Sequence, residues 1–391
     1  MTGSASLSLL ICGDICPTAD TRALFDDGVP GALLGTLVDR IRAADLSLAN
    51  LECVLSETAP PADKIGPVLT GKAADARLLA DAGFDLLGVA NNHIKDCGEA
   101  GVLDTLAACA AAGIRTTGSG PNAAAAAEPA CLEVKGWTIG VMAVAEHEFN
   151  AASATGAGAH VFDPLTDLER LRALKARCDW VVVLYHGGIE YHPFPSPLLQ
   201  RTCRSLVRNG ADLVLCQHSH VIGTLEAYEG GHILYGQGNS VFGHRPGKSG
   251  WNQGLAVSVF LDRADGIQAR LDMLPIGCDA SGRVDLLPED SAKACLMALD
   301  ERSRRAEDPA WIETAWSGFC ANLGKNQLPH VLGLGLWPTR LNRLLKGGLV
   351  RTLFSKKQRM TALNVVRCDA HREVVLTAFG QTLDIARFDR P

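Results

Sequence analysis

Five stretches of the 391-residue chain follow one plan, an apolar run rich in β-branched residues and then, at once, polar side chains. SLSLLICGD closes on Asp14, ADLSLANLE on Glu52 and FDLLGVANNH on Asn92 and His93. CDWVVVLYHGG passes through His186, and ADLVLCQHSH ends in His218 and His220. Short apolar runs bounded by turn signals read as buried strands. Between them, Ala- and Leu-rich stretches at 72–82 and 99–113 read as helices closed by Gly83 and Gly113. Strands alternating with helices predict an α/β sheet, which gathers functional groups at the C-terminal ends of its strands. Two later segments look antiparallel: ACLEVKGWTIGVMAVA turns at Lys135-Gly136, and GLAVSVFLDRADGIQARLDMLPI turns at Ala264-Asp265-Gly266. The sheet is therefore expected to be mixed.

After residue 284 the character changes. DSAKACLMALDERSRR reads as a helix capped by Asp290 or Ser291, and further helical stretches follow, broken by Pro309, Pro329 and Pro338. The expected organisation is a main domain over residues 1–284 and a helical, partly basic extension over 285–391.

Composition narrows the class. With 47% hydrophobic and 20% charged residues and 40 glycines, the chain can bury a large core of the α/β enzyme type. Its thirteen cysteines are scattered, several inside apolar strands (Cys12, Cys131, Cys216), with no CxxC pair and no secretory signal ahead of the first strand. Free buried thiols in a reducing cytoplasm are the expectation. The longest apolar runs fall short of the roughly 20 residues that a membrane span needs. Net charge is −6, but residues 331–368 carry eight Lys or Arg and no Asp or Glu, which leaves the remainder at −14. In that segment Leu341, Leu344, Leu345, Leu349, Leu353 and Phe354 interleave with the cations. It is amphipathic enough for peripheral contact with an anionic membrane, although Gly347-Gly348 interrupts it and a helix with a solvated basic face is the commoner explanation. Aromatics make up only 5%, with no stacking platform, so nucleic acid is not an expected partner.

The strand-end residues carry the chemistry. Side chains at i and i+2 of extended chain point the same way, so His218 and His220 are expected to aim at a common volume. Oxygen ligands mixed with imidazoles suit Zn, Mn or Fe(II) better than Mg or Ca. Asp14, Glu52, Asn92, His186, His218 and His220 offer two carboxylates, an amide oxygen and three histidines, enough for one or two ions per chain. Paired ions about 3.5–4 Å apart clamp the attacking and departing oxygens of a displacement at phosphorus or a carbonyl. His93 directly follows Asn92 and in extended chain would point elsewhere, toward substrate, as a general acid does. In HGGIEYHPFPSP, Glu190 and Tyr191 sit on a Gly- and Pro-shaped loop fit to orient substrate, and in YGQGNSVFG Asn239 follows another strand as a wall of the same pocket. GPVLTGK fails as a phosphate loop, because Ala73 stands where Ser or Thr is needed and no strand precedes it. Lys72 nevertheless begins the next helix, where it is placed to meet an anionic group.

Taken in order, GD, NLE, ANNHIKDCG, HGGIEY, ADLVLCQHSHV and ILYGQGNSVFG resemble the CapA or poly-γ-glutamate-synthesis family, a branch of the calcineurin-like metallophosphoesterase superfamily, over roughly residues 7–245. The resemblance implies a four-layer α/β/β/α sandwich. It also implies Asn92 as a metal ligand and His93 as the catalytic histidine, with His218 and His220 divided between two metals and His186 completing one site. Asp14 matches the first aspartate and Glu52 stands at the bridging carboxylate. One motif departs: where the superfamily has Asp-x-His, this chain has Asp14-Ile15-Cys16. Cys16 is either a thiolate ligand or a packing thiol that leaves a poorer first metal site. The expected function is a metal-dependent hydrolase of a phosphoester or glutamyl-type amide, linked to capsule, poly-γ-glutamate or polysaccharide metabolism and acting on an anionic small molecule or polymer. The alternative is a non-hydrolytic accessory protein of cell-surface polymer assembly.

Overall fold

In the strand Trp180–His186 the alternation of side chains becomes a layer. Trp180, Val182 and Leu184 belong to one buried cluster, whereas Val181, Val183 and Tyr185 belong to another on the opposite face. Both faces are covered, so the strand reads as a continuous hydrophobic run. The same parity holds in Trp137–Ala145, with Ile139, Val141 and Ala143 on one side and Met142 and Val144 on the other. A computed structural model describes residues 6–264 and 266–382, and these strands lie in its second sheet.

That sheet runs Leu225–Tyr228, Gly231–Leu234, Leu213–Gln217, Trp180–His186, Trp137–Ala145, Ala130–Val134. The first runs Val284–Leu286, Gln268–Cys278, Gln253–Asp262, Ser6–Ile15, Leu46–Leu51, Leu86–Gly88, Arg115–Thr117, with Asn239–Val241 parallel beside Ser6–Ile15. Both mix parallel and antiparallel pairs, as expected. The Lys135-Gly136 hairpin forms with positive φ at both residues (50° and 81°). The other predicted turn includes Asp265, which lies outside the described residues.

Between the sheets, Leu7, Leu9, Ile11, Leu46 and Leu48 pack on Val182, Leu184, Leu213 and Leu215. Each such side chain, fully buried, contributes roughly 1.5–3 kcal/mol of transfer free energy. Helices Ala73–Ala82 and Gly98–Ala111 cover the outer face of the first sheet through Ala76, Leu79 and Val102. Helices Asp167–Lys175 and Pro197–Arg208 cover the second through Leu171, Leu174, Cys203 and Leu206. The architecture is the four-layer α/β/β/α sandwich.

The predicted helix after residue 284 spans Glu289–Ala306, with Pro288 at the N-cap, so Asp290 and Ser291 lie inside its first turn instead of capping it. Cys295 and Leu299 bury against the inter-sheet cluster, and the Leu225 amide donates to Ser303 Oγ at 2.8 Å. This helix belongs to the sandwich, and the chain divides between Asp308 and Pro309 instead of at the expected 284/285. The change of character at 284 marks a switch from strand to helix within one unit. The second unit is helical: Pro309–Val331, Leu336–Leu344, Gly348–Leu353, Lys356–Arg367 and Asp369–Thr382. Inside it the buried Asn342 donates to the Lys325 carbonyl (2.9 Å) and accepts from the Val350 amide (3.0 Å), tying three helices together. Among the described residues no helix is long and apolar enough to cross a membrane. The cysteines are free thiols.

Candidate metal centre

Strand parity delivers the first candidate ligands. His186 continues the inward set of Trp180, Val182 and Leu184, and Asn50 continues that of Leu46 and Leu48. Asp14 is registered beside Asn50 on one side and Asn239 on the other. The Asn50 amide donates to Asp14 Oδ1 (2.7 Å) and lies 3.2 Å from His186 Nδ1, so it links a residue of each sheet. Glu52 follows the strand end directly and is fully buried, and neither of its carboxyl oxygens has a hydrogen-bond partner.

The histidine pair converges by a different route from the expected one. The strand ends at Gln217, and His218 and His220 take φ of +79° and +56°, so the pleat does not align them. Left-handed backbone at an ordinary side chain costs on the order of 1 kcal/mol or more. Here it turns the His218 amide onto Asp14 Oδ2 at 3.0 Å. The two rings, 6.1 Å apart, fall into different clusters. Glu52, His186 and His218 form one group of possible ligands and Asp14, Glu52 and His220 the other, with donor atoms in each within 4.8 Å of one another. Glu52 is common to both.

Asn92 and His93 lie in a turn ahead of helix Gly98–Ala111, not in extended chain, yet they do diverge. Asn92 Oδ1 sits 3.0 Å from His186 Nε2, and Glu52 Oε1 sits 3.5 Å from the same nitrogen. Tetrahedral neighbours held about 2.0–2.2 Å from one ion are themselves about 3.3–3.6 Å apart, which the Glu52 contact matches. Because the Asn50 N–H can only donate, His186 Nδ1 accepts and Nε2 carries the proton toward Asn92 Oδ1; an ion held at Nε2 would require the other tautomer. His93 points to the edge of this set, with Nδ1 2.7 Å from Asp96 Oδ2 and Nε2 3.9 Å from Glu52 Oε1. Asp96 also accepts from Lys64 and from the Leu69 amide (2.6 Å), so its carboxylate is fixed before it orients the ring.

Asn239 holds His220. Its amide nitrogen donates to the Trp251 carbonyl (2.9 Å), which turns Oδ1 toward His220 Nδ1 at 2.9 Å. Nδ1 must then carry the proton, and Nε2 keeps the lone pair a metal needs. Asn239 therefore orients a candidate ligand in this arrangement instead of serving as a bare pocket wall. Tyr191, with its ring centroid 6.1 Å from that of His220, stacks over it, and Glu190 lies beside the Tyr191 hydroxyl, where burial first and this carboxylate second raise the phenol pKa. Lys72 precedes helix Ala73–Ala82 as predicted, but its ammonium pairs with Asp26 at 2.7 Å on the surface, outside this network. Cys16 is fully buried among core side chains, with its thiol toward the Pro17 carbonyl and Cys53, and it enters neither ligand group.

Electrostatics bear on the fit. Burial pushes Asp14 up to about 7, with the Glu52 charge adding, and burial pushes Glu52 up to about 8. Burial lowers His186 to about 4 and His218 and His220 to about 3. Every shift favours the neutral form, as expected of a buried cluster without a cation. Unpartnered carboxylate oxygens, an unpartnered His218 Nδ1 and neutral imidazoles together match the donor set of a transition-metal site. Sequence reasoning missed Asn50 and Asp96. Each had a positional signal: Asn50 is two residues before Glu52 on the inward face, and Asp96 is one turn after His93.

The fold is thus a two-sheet sandwich with carboxylates and imidazoles gathered at facing strand ends. The chain belongs to the bacterial capsule synthesis protein family PGA_cap, whose pattern matches residues 8–244. It is 29% identical over 240 residues to the capsule biosynthesis protein CapA of Bacillus anthracis, covering 60% of this chain and 55% of that protein. It is 31% identical over 206 residues to the PGA biosynthesis protein CapA of Bacillus subtilis, covering 51% of this chain and 54% of that one. The matches thus span about half the length of these relatives. Among solved structures, the NAD nucleotidase of Haemophilus influenzae aligns over 82% of this chain and 60% of its own, at 14% identity and a TM-score of 0.41.

Proposed function

We propose that the protein is a metal-dependent hydrolase that cleaves a phosphoester or a glutamyl-type amide in capsule, poly-γ-glutamate or polysaccharide metabolism. The observation that carries this reading is Glu52, a buried carboxyl group whose two oxygens lack a hydrogen-bond partner and which is common to both candidate ligand groups. Ionising it without a partner costs several kcal/mol, which is why burial favours its neutral form, and a cation between the groups would remove that cost. Asp14, Glu52 and His220 would hold one ion, and Glu52, His186, His218 and Asn92 the other. Bound there, such ions polarise the scissile group and lower the pKa of water. The chain's own contribution is positional. Asp96 fixes His93 so that Nε2 faces the reacting group and protonates the departing atom. Asn239 holds the His220 ring with Nε2 free, Asn50 positions the Asp14 carboxylate, and Tyr191 and Glu190 orient substrate at the rim.

The test is metal analysis of protein purified without chelators, beside hydrolysis of bis-nitrophenyl phosphate and a γ-glutamyl anilide. At least one transition metal per chain is expected, and the His186→Ala/His218→Ala double variant should lose the ion of the Glu52, His186, His218 group while circular dichroism is kept. Unchanged metal in that variant discards the assignment. A second reading, a non-hydrolytic accessory protein, is favoured by Cys16, which lies in the core where the resembled motif has a histidine. That reading expects bound metal without turnover of any ester or amide.

A further inference from the structure

Beside the candidate centre lies a second feature that no ligand assignment uses. Tyr191, whose ring stacks over His220, also lines a pocket of about 250 Å³, together with Val221, Ile222, Cys295, Ala298 and Arg302. The last three come from helix Glu289–Ala306, the helix that the sequence had assigned to the extension. Val221 follows His220 in the chain, so the pocket opens next to the ligand cluster. Its walls mix apolar side chains (Val221, Ile222, Cys295, Ala298) with the polar Ser249 and Gln253. The guanidinium of Arg302, which also lines it, is half-buried and donates from Nε to the Gly223 carbonyl at 3.2 Å. Among the described residues no carboxylate lies within ion-pair distance of it. The terminal nitrogens of an arginine offer a planar fork that suits an oxyanion. Lys248 Nζ sits 3.4 Å from the centroid of the Tyr191 ring and 4.9 Å from that of Trp251, a cation–π contact that holds the Tyr191 ring.

We propose that this pocket is a subsite for an oxyanion carried on a short aliphatic stem, with the anion on Arg302 and the stem against Val221, Ile222, Cys295 and Ala298. The oxyanion is a carboxylate or a phosphate group, and the pocket selects which part of a substrate lies next to the scissile bond. This deepens the hydrolase reading, since the selected group would belong to its substrate. The binding itself does not require turnover.

The experiment is isothermal titration of the full chain, as purified, with glutarate in one arm and propyl phosphate in the other. Saturable binding of at least one probe is expected, and the better probe identifies the anion. Arg302→Gln should weaken it about ten- to hundredfold, as loss of a charged hydrogen-bond donor does. Ala298→Leu, which fills the pocket from the helix, should abolish it. Metal content and circular dichroism should match wild type in both variants. Binding of neither probe, or equal affinity in both variants, overturns the proposal. So does binding that survives in both variants and disappears on chelation, because the anion would then sit on the metal centre. A chain that binds a probe through Arg302 but hydrolyses nothing would retain the subsite and discard only the hydrolase.

Discussion

The two sheets bring opposite chemistry to their common edge. The first supplies acids and amides: Asp14, Asn50, Glu52, Asn239 and, past its strand Leu86–Gly88, Asn92. The second supplies imidazoles: His186, His218 and His220. In the cation-free protein, burial drives the first set toward protonated acids and the second toward neutral rings. A cation reverses only the first shift. The lesson is that neither sheet holds a candidate ligand set alone, and that the proton chemistry of any metal loading would belong to the carboxylates.

The sharpest way to break this division is at Glu52, the one residue of both groups. Glu52→Gln should remove essentially all bound metal, whereas His220→Ala should leave the Glu52, His186, His218 group and its ion; metal analysis reads both. Equal losses in the two variants would show that the groups are not separate. Next in size is His93, which lies outside both groups. His93→Asn should keep the metal and lower turnover by about 10²–10⁴, the usual worth of a general acid. The loss should be smaller for nitrophenolate leaving groups, which need no proton, and steady-state kinetics on paired substrates checks this.

The carboxylates predict a pH dependence for metal uptake. Asp14 at about 7 and Glu52 at about 8 are both protonated below neutrality, whereas His186 is already neutral above about pH 4. Binding must displace protons from the first sheet alone. Affinity should therefore rise with pH by up to about a hundredfold per unit near pH 6, and should level off above about pH 9. Titration in buffers of different ionisation enthalpy counts the protons released. Uptake that is flat from pH 6 to 9 would contradict the division.

The smallest effect concerns the seam itself. A Cβ on Gly88 would meet Leu184 Cδ1 at 2.8 Å and Ala143 Cβ at 3.6 Å. Gly88→Ala should therefore cost about 1–3 kcal/mol of stability as overpacking, read by denaturant unfolding. Because Leu184 is two residues before His186, metal affinity should fall modestly with it.

The strands and their inward faces were legible because burial on both sides leaves an unbroken apolar run with period-two parity. Trp180 to His186 shows both, and His186 lies on the inward face that this parity predicts. His218 and His220 were found for a reason that does not hold in the structure, since left-handed backbone is invisible to a pattern built on extended chain. Asn50 and Asp96 went unread because each acts through a neighbour, and a positioning side chain has no composition signal of its own. The domain boundary was misplaced for a related reason: Cys295 and Leu299 look like any helix's apolar face until the sheet edge they cover is known.

The His218 amide, given across the seam to Asp14, has a consequence for time as well as geometry. A hydrogen held between two layers exchanges with solvent only when the layers part there. Its exchange rate in heavy water is thus a clock for the breathing of this end of the sandwich. A slow clock beside rapid metal uptake would mean that ions enter through a standing gap, and a clock that keeps pace with uptake would mean that the sheets open to admit them.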